Sequence, residues 1–165
     1  MSVRPLCKAP HETLRTPAKP VKAFDASLRR LARDMIETMY DSDGIGLAAP
    51  QVGVSVQLFV ANPSQQPGRE LVIVNPILRP RGGQARLVEG CLSVPDIWGR
   101  VTRSARVEVA GQDLAGEPVT LTADGLLAIV LQHEVDHLQG TLFIDRLNWL
   151  RRQRLPTALR PRRRR

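Results

Sequence analysis

The segment from about Asp124 to Gln139 constrains this chain more than any other. Leu126, Leu127, Ile129, Val130, Leu131, Val135 and Leu138 cover nearly the full circumference of a helix over these residues. A helix that is apolar all round belongs in an interior, so the rest of the chain has to wrap around it. Gly140 stands where such a helix ends. The same segment also carries His133-Glu134-Val135-Asp136-His137. At 3.6 residues per turn the two histidines lie about 40° apart and one turn apart in height, so both imidazoles reach one metal ion. Glu134 is rotated away by about 100°, placed to touch a water on that metal rather than to ligate it. This is the H-E-x-x-H pattern, in which a cation acidifies water and a carboxylate moves protons. Two histidines and a glutamate inside an apolar helix are costly to bury without partners, and a metal is the simplest partner.

The elements around that helix read as short antiparallel strands with one further helix, an α+β arrangement. Asp25 or Ser27 caps a helix running to about Tyr40, with Leu28, Leu31, Ala32, Met35 and Met39 on its apolar stripe. Val54, Val56, Leu58 and Val60 alternate with polar or small residues, as in a half-buried strand. Leu71–Val74 reads as a short strand ending at Asn75-Pro76. Val107/Val109 and Val119/Leu121 flank a loop with Gly111 and Gly116 and form a hairpin. Residues 3–22, with four prolines, read as irregular.

Two histidines leave a third ligand to be found. The position at which the longer metzincin motif has a third histidine holds Phe143, and no glutamate follows Glu134. Asp145, Cys7, His11 and Cys91 remain open. Cys91 lies in Glu89-Gly90-Cys91-Leu92-Ser93-Val94-Pro95, which reads as a shaped loop. A further segment, Gly44-Ile45-Gly46-Leu47-Ala48-Ala49-Pro50-Gln51, has a helix before it and a strand after it, the reverse of a dinucleotide-binding loop. Its small residues let main chain approach a ligand, and Gln51 offers an amide donor.

Together these three motifs, in this order and spacing, resemble the peptide deformylase family, over about Val3 to Leu147. The family removes the formyl group from nascent chains that begin with N-formylmethionine. The resemblance implies Cys91, His133 and His137 as ligands of one divalent metal, commonly Fe(II), with Zn, Ni or Co able to occupy the site. It implies Glu134 as acid–base, and Gln51 with the backbone N–H of Leu92 as oxyanion donors. Gly44, Ile45, Gly46, Leu126, Ile129 and Val130 would line the substrate channel and the pocket for the methionine side chain. The loop Asp96-Ile97-Trp98-Gly99-Arg100 departs from many members, and Trp98 is a candidate for the channel rim. Two other functions compete: an H-E-x-x-H metalloprotease using Asp145, and a non-catalytic ribosome- or RNA-binding protein with a structural metal held also by Cys7.

Charge separates the chain into two parts. The net charge is +8, and residues 151–165 hold eight arginines and no acid, leaving sixteen basic and sixteen acidic side chains in the rest. A catalytic domain over 1–150 and a basic tail over 151–165 are therefore expected. The neutral body makes DNA an unexpected partner, while the tail suits a polyanion such as the ribosome. Pro156 predicts a short helix ending near Arg154, followed by a flexible basic end. Nothing approaches the roughly 20 apolar residues of a membrane span, so no membrane partner is expected. Two cysteines make no disulfide framework, and with no apolar leader in Met1–Pro20 the expected location is the reducing cytoplasm.

Overall fold

The computed structural model describes residues 2–160. Helix α1 spans Ala26–Asp41 and helix α2 Gly125–Leu138. Five antiparallel strands form the larger sheet in the order β1 (Gly46–Ala48), β2 (Leu58–Ala61), β3 (Leu71–Pro80), β6 (Arg106–Gln112), β7 (Pro118–Asp124). Strands β4 (Gln84–Cys91) and β5 (Val94–Ser104) pair as a separate hairpin. Helix α2 packs against β1, β2, β6 and β7 and also touches β5, so it lies between the two sheets.

Helix α1 starts where the capping residues allow. Asp25 accepts from the backbone N–H of Ser27 (2.9 Å) and of Leu28 (3.1 Å), so Asp25 rather than Ser27 is the cap. The apolar stripe Leu28, Leu31, Ala32, Met35 and Met39 is buried against Leu47, Leu58 and Val60. On the opposite face of the same strands, Ala48, Phe59 and Ala61 pack with Val130, Leu131 and Val135 of α2.

This double cover corrects the expected alternation over 54–60. Strand β2 begins only at Leu58 and all four of its residues are buried, because a helix sits on each face. Val56 makes only an isolated bridge to Lys19. Strand β3 does not stop at Asn75-Pro76. Its register shifts between Val74 and Ile77, with Asn75 at φ +49°, and pairing to β6 then resumes to Pro80. Asn75 stabilises that irregularity by side-chain bonds to both backbone groups of Val21. The β6–β7 pairing has Val109 facing Leu121 and Gly111 facing Val119.

Hairpin β4–β5 is absent from the sequence expectation, which left Cys91 in a loop. Gly90, Pro95 and Gly99 read as turn signals, and its outer face is exposed, so no strong alternation marks it. Cys91 is in fact the last residue of β4, paired with Val94. The irregular N-terminal stretch holds one 3-10 turn, Glu12–Arg15. Beneath the hairpin a third core cluster gathers Leu14, Val101, Phe143, Leu147 and Leu155.

Leu155 changes the picture of the tail. Helix α3 (Trp149–Gln153) ends at Arg154, as Pro156 requires. The chain then stays against the body: Leu155 is buried, Leu159 packs on the same cluster, and Arg160 donates to the carbonyls of Leu155 and Gln153. Leu155 thus ties the start of the basic 151–165 segment to the body, and the rest of the expected flexible end, past Arg160, lies outside the described residues. Among the described residues no helix is long and apolar enough to cross a membrane.

Helix α2 ends at a left-handed turn. Gly140 has φ +70°, and a Cβ there would lie 2.7 Å from the backbone of Arg15. Left-handed backbone costs a non-glycine residue about 1–2 kcal/mol, and the clash adds to it. Gly140→Ala should therefore lower unfolding free energy by about 2 kcal/mol or more, read as a lower urea midpoint at unchanged m-value.

Candidate active site

Three side chains from two elements converge at the inner end of the hairpin. Cys91 Sγ is 3.2 Å from His137 Nε2, which is 3.2 Å from His133 Nε2. One ligand atom from each of the three residues lies within 4.8 Å of the others. Helix α2 presents both histidines from successive turns, and the end of β4 brings the thiol to them. Cys7, His11 and Asp145, the other candidate ligands, lie outside this cluster. His11 caps the Glu12–Arg15 turn through Nδ1, and Asp145 accepts from Arg15 and from the backbone N–H of Leu142. The Cys7 thiol faces Gly53.

The donor chemistry fits a divalent cation. Glu89 Oε2 lies 2.9 Å from His133 Nδ1, so the proton on that nitrogen is directed at the carboxylate. Nε2 of His133 then faces the thiol and the second imidazole. Burial lowers the pKa of His133, but bonds to Cys91 and Glu89 outweigh it and raise it to about 10. Burial, helped by the charges of His133 and Arg103, holds His137 well below its ordinary value and keeps that imidazole neutral. One thiol and two imidazoles thus converge on one point, a donor set that suits a cation of Zn or Fe type.

Behind the histidines runs a buried chain of charges that the sequence did not reveal. Arg103 of β5 donates to both oxygens of Glu89 (2.6 and 2.8 Å) and to Asp136 of α2 (2.7 Å). Arg146 closes the other side of Asp136. Burial works against the Glu89 carboxylate, yet the bonds from Arg103 and His133 hold its pKa down at about 2. Glu89 stood inside a recognised motif, and Asp136 inside the histidine pair. Arg103 carried no signal, because its role exists only once β5 lies along β4.

Glu134 lies next to His133 on helix α2. It is 3% exposed, and its Oε2 has no hydrogen-bond partner. Burial pushes its pKa up to about 7, against the pull of His133 and Arg103. Gly46 makes room for it, since a Cβ there would collide with Glu134 Oε1 and come within 3.0 Å of Val130. Gln51 is 2% exposed, and its amide has a fixed orientation. The backbone N–H of Ala48 donates to Oε1 (2.8 Å), leaving Nε2 to face Ser93 Oγ (3.2 Å) and Cys91 Sγ (3.6 Å). Leu92 follows Cys91 in the tight turn between β4 and β5.

A cavity of about 550 Å³ opens onto these groups. Gly44, Ile45 and Gly46 line one side, Leu126, Ile129 and Val130 of α2 another, and Cys91, Leu92, His133, Glu134 and Gln51 the floor. His137, 1% exposed, lies behind the floor. Leu126 does not share the burial expected of the whole helix. It is 48% exposed in the first turn of α2 and stands at the mouth. Leu87 and Val88 line the mouth as well, unforeseen from the sequence.

Arg103 is where the buried charges meet. Removing one partner of a buried ion pair costs about 3–5 kcal/mol, because the remaining charges stay uncompensated. Arg103→Leu should lose roughly that much in chemical denaturation. Glu89→Gln, which alters the partner of His133, should weaken metal affinity by about 10- to 100-fold in a chelator competition.

Comparison with known proteins places this geometry in context. A sequence model described as polypeptide deformylase matches residues 3–153. Peptide deformylase of Chromobacterium violaceum is 48% identical over 153 residues, covering 93% of this chain and 92% of that one. The Neisseria gonorrhoeae enzyme is 45% identical over 162 residues, covering 98% and 97%. A crystal structure of a peptide deformylase from Legionella pneumophila superposes with a TM-score of 0.89 at 46% identity, over 92% of this chain and 90% of that one. One from Synechococcus elongatus, in complex with actinonin, gives 0.83 at 47% identity, over 88% and 80%.

Proposed function

The chain belongs to the polypeptide deformylase family, and we propose that it hydrolyses the N-formyl group of nascent polypeptides beginning with formylmethionine. One observation carries the reading: Cys91, His133, the unpartnered Glu134 carboxylate and the oriented Gln51 amide meet on the floor of one cavity, with His137 completing the donor set just behind it. A divalent cation bound to the three donors supplies a Lewis acid and an acidified water. Fe(II) is the metal the family resemblance favours, and a thiolate with two imidazoles also suits Zn, Ni or Co.

The rest of the chemistry belongs to this chain's own side chains. Glu134, with its pKa near 7, is suited both to accept a proton from the attacking water and to deliver it to the leaving amine. Gln51 Nε2 and the backbone N–H of Leu92 flank Cys91 and are placed to donate to the negative charge that develops on the formyl oxygen as its carbon becomes tetrahedral. Ile45, Ile129 and Val130 give the methionine side chain an apolar wall, and Gly44 and Gly46 let the substrate backbone pass closely. Asp145 already pairs with Arg15, and Cys7 lies apart from the donor cluster. These placements weigh against the protease and structural-metal readings.

Ligand and acid–base roles separate cleanly by experiment. Cys91→Ala, His133→Ala and His137→Ala should each abolish tight metal binding, whereas Cys7→Ala should retain it. Glu134→Gln should keep its metal and lose about 10²- to 10⁴-fold in turnover of a formyl-Met peptide, the usual worth of an acid–base group. Near-normal turnover would refute the role. Elemental analysis after anaerobic purification identifies the metal.

The basic tail suits ribosomal RNA, and a reducing cytoplasmic location goes with that partner. Arg151 and Arg154 are exposed on and after α3, beside exposed Trp149 and Leu150. Because Leu155 is a core residue, the test spares it. Arg151→Gln with Arg154→Gln, plus removal of 162–165, should reduce ribosome co-sedimentation and flatten its salt dependence, since fewer counterions are released. Equal pelleting of both forms at two salt concentrations would end the docking idea.

A further inference from the structure

Ser93 is a buried polar side chain to which the proposed reaction gives no task. It is 0% exposed and does not line the cavity, so it stands behind the reacting groups rather than among them. Its hydroxyl oxygen accepts from Gln51 Nε2 at 3.2 Å. A side-chain amide nitrogen carries two hydrogens. Here Nε2 has two neighbours within reach, Ser93 Oγ and, at 3.6 Å, Cys91 Sγ. The oxygen end of the same amide is taken by the backbone N–H of Ala48. Held at that one point, the amide could still rock, because the last torsion of a glutamine side chain is soft. Ser93 accepts one hydrogen and thereby directs the other toward Cys91, where the reaction takes place. Gln51 and Ser93 are both closed off from solvent, so no bulk water offers a substitute acceptor.

The main chain on both sides of this contact is fixed by other means. The backbone N–H of Cys7 donates to the carbonyl of Gln51, and that of Ala9 to the carbonyl of Ser93, each at 2.8 Å. The N-terminal strap thus bridges the two segments from behind. It is tied to α1 in turn through Arg4, whose side chain donates to Asp34 and whose backbone N–H donates to Thr38 Oγ1. Gln51 also lies within the 3-10 turn Ala49–Val52. Removing the Ser93 hydroxyl therefore frees the amide without freeing the backbone that carries it.

We propose that Ser93 is a positioning residue for the oxyanion donor, its hydroxyl aiming the free hydrogen of the Gln51 amide at the formyl oxygen. A donor is effective only where it points at developing charge, and removing one outright lowers kcat by about 10²- to 10³-fold. Ser93→Ala keeps the donor and loses only its aim, so a smaller loss, about tenfold, is expected. Because the charge develops in the transition state, the loss falls on kcat and leaves KM nearly unchanged.

This inference rests on the deformylase reading and on the role of Gln51 within it, and each fails separately. Metal-loaded wild type, Ser93→Ala, Gln51→Ala and the double variant are compared on a formyl-Met peptide. Ser93→Ala should keep its metal and lose about tenfold in kcat at nearly constant KM. In the Gln51→Ala background the same change should alter kcat by less than about twofold, since no amide remains to aim. The side-chain amide proton signals of the zinc-loaded protein give a readout that does not depend on turnover. The Gln51 pair, identified by its loss in Gln51→Ala, should shift and exchange faster with solvent in Ser93→Ala. Unchanged kcat in Ser93→Ala, an equal loss with and without Gln51, unmoved amide signals, or loss of metal or fold in Ser93→Ala would each overturn the assignment. Full turnover by Gln51→Ala would remove the donor role, and this inference with it, while leaving deformylation standing. A wild-type protein that deformylates no formyl-Met peptide would overturn the functional reading itself, and the amide signals would still report whether Ser93 holds Gln51.

Discussion

One guanidinium ties the two halves of this structure together. Hairpin β4–β5 shares no backbone ladder with the five-stranded sheet. Its position relative to helix α2 depends on packing, on Gln132 of the helix, which bonds both backbone groups of Ser104, and above all on Arg103, which reaches Glu89 on its own hairpin and Asp136 on the helix. Glu89 then meets His133, and Asp136 belongs to the same helical turn as His137. The separation between the thiol at the end of β4 and the imidazoles on α2 is thus set by buried charge-assisted bonds, which are short and directional. Buried ion pairs of this kind are weak evidence for stability, because desolvation offsets much of their attraction. Their value here is geometric: they fix two separately formed elements in one register.

The same division explains which parts of the fold could be read from sequence. Both main helices were legible because their signals are local. Leu28 to Met39 recur at helical spacing, Asp25 caps the first turn, and Gly140 marks the end of α2. Strands covered on both faces were harder. Leu58 to Ala61 lose the alternation that marks a strand because α1 and α2 bury opposite sides. The β4–β5 hairpin failed for the opposite reason. Its outward residues Arg86, Val88, Trp98 and Arg100 have no partner layer to impose a pattern, and three of its turn-like residues sit inside strands.

The site divided along similar lines. His133, Glu134 and His137 announce themselves because helical spacing alone brings them to one face. Choosing Cys91 over Cys7, His11 and Asp145 needed either a family resemblance or the fold, since these candidates span most of the chain. The structure assigns the other three separate local tasks: His11 caps a turn, Asp145 pairs with Arg15, and Cys7 faces Gly53. Arg103 could not be found at all. Its partners are 14 and 33 positions away, and neither distance has a sequence signature.

Glu134 shows how the fold leaves one buried carboxylate without an ion-pair partner. Three carboxylates crowd this region, and two of them, Glu89 and Asp136, are neutralised by arginines. Glu134 receives no such partner. Gly46 lets strand β1 approach it so closely that no side chain intervenes, and the helix face around it is apolar. The network that saturates Glu89 therefore has a second consequence. Arg103 is already committed to two other carboxylates, so burial dominates at Glu134 and lifts its pKa to about 7. Two glutamates of one site, one at about 2 and one at about 7, are set apart by their partners alone, and the acid–base role proposed for Glu134 draws on that contrast.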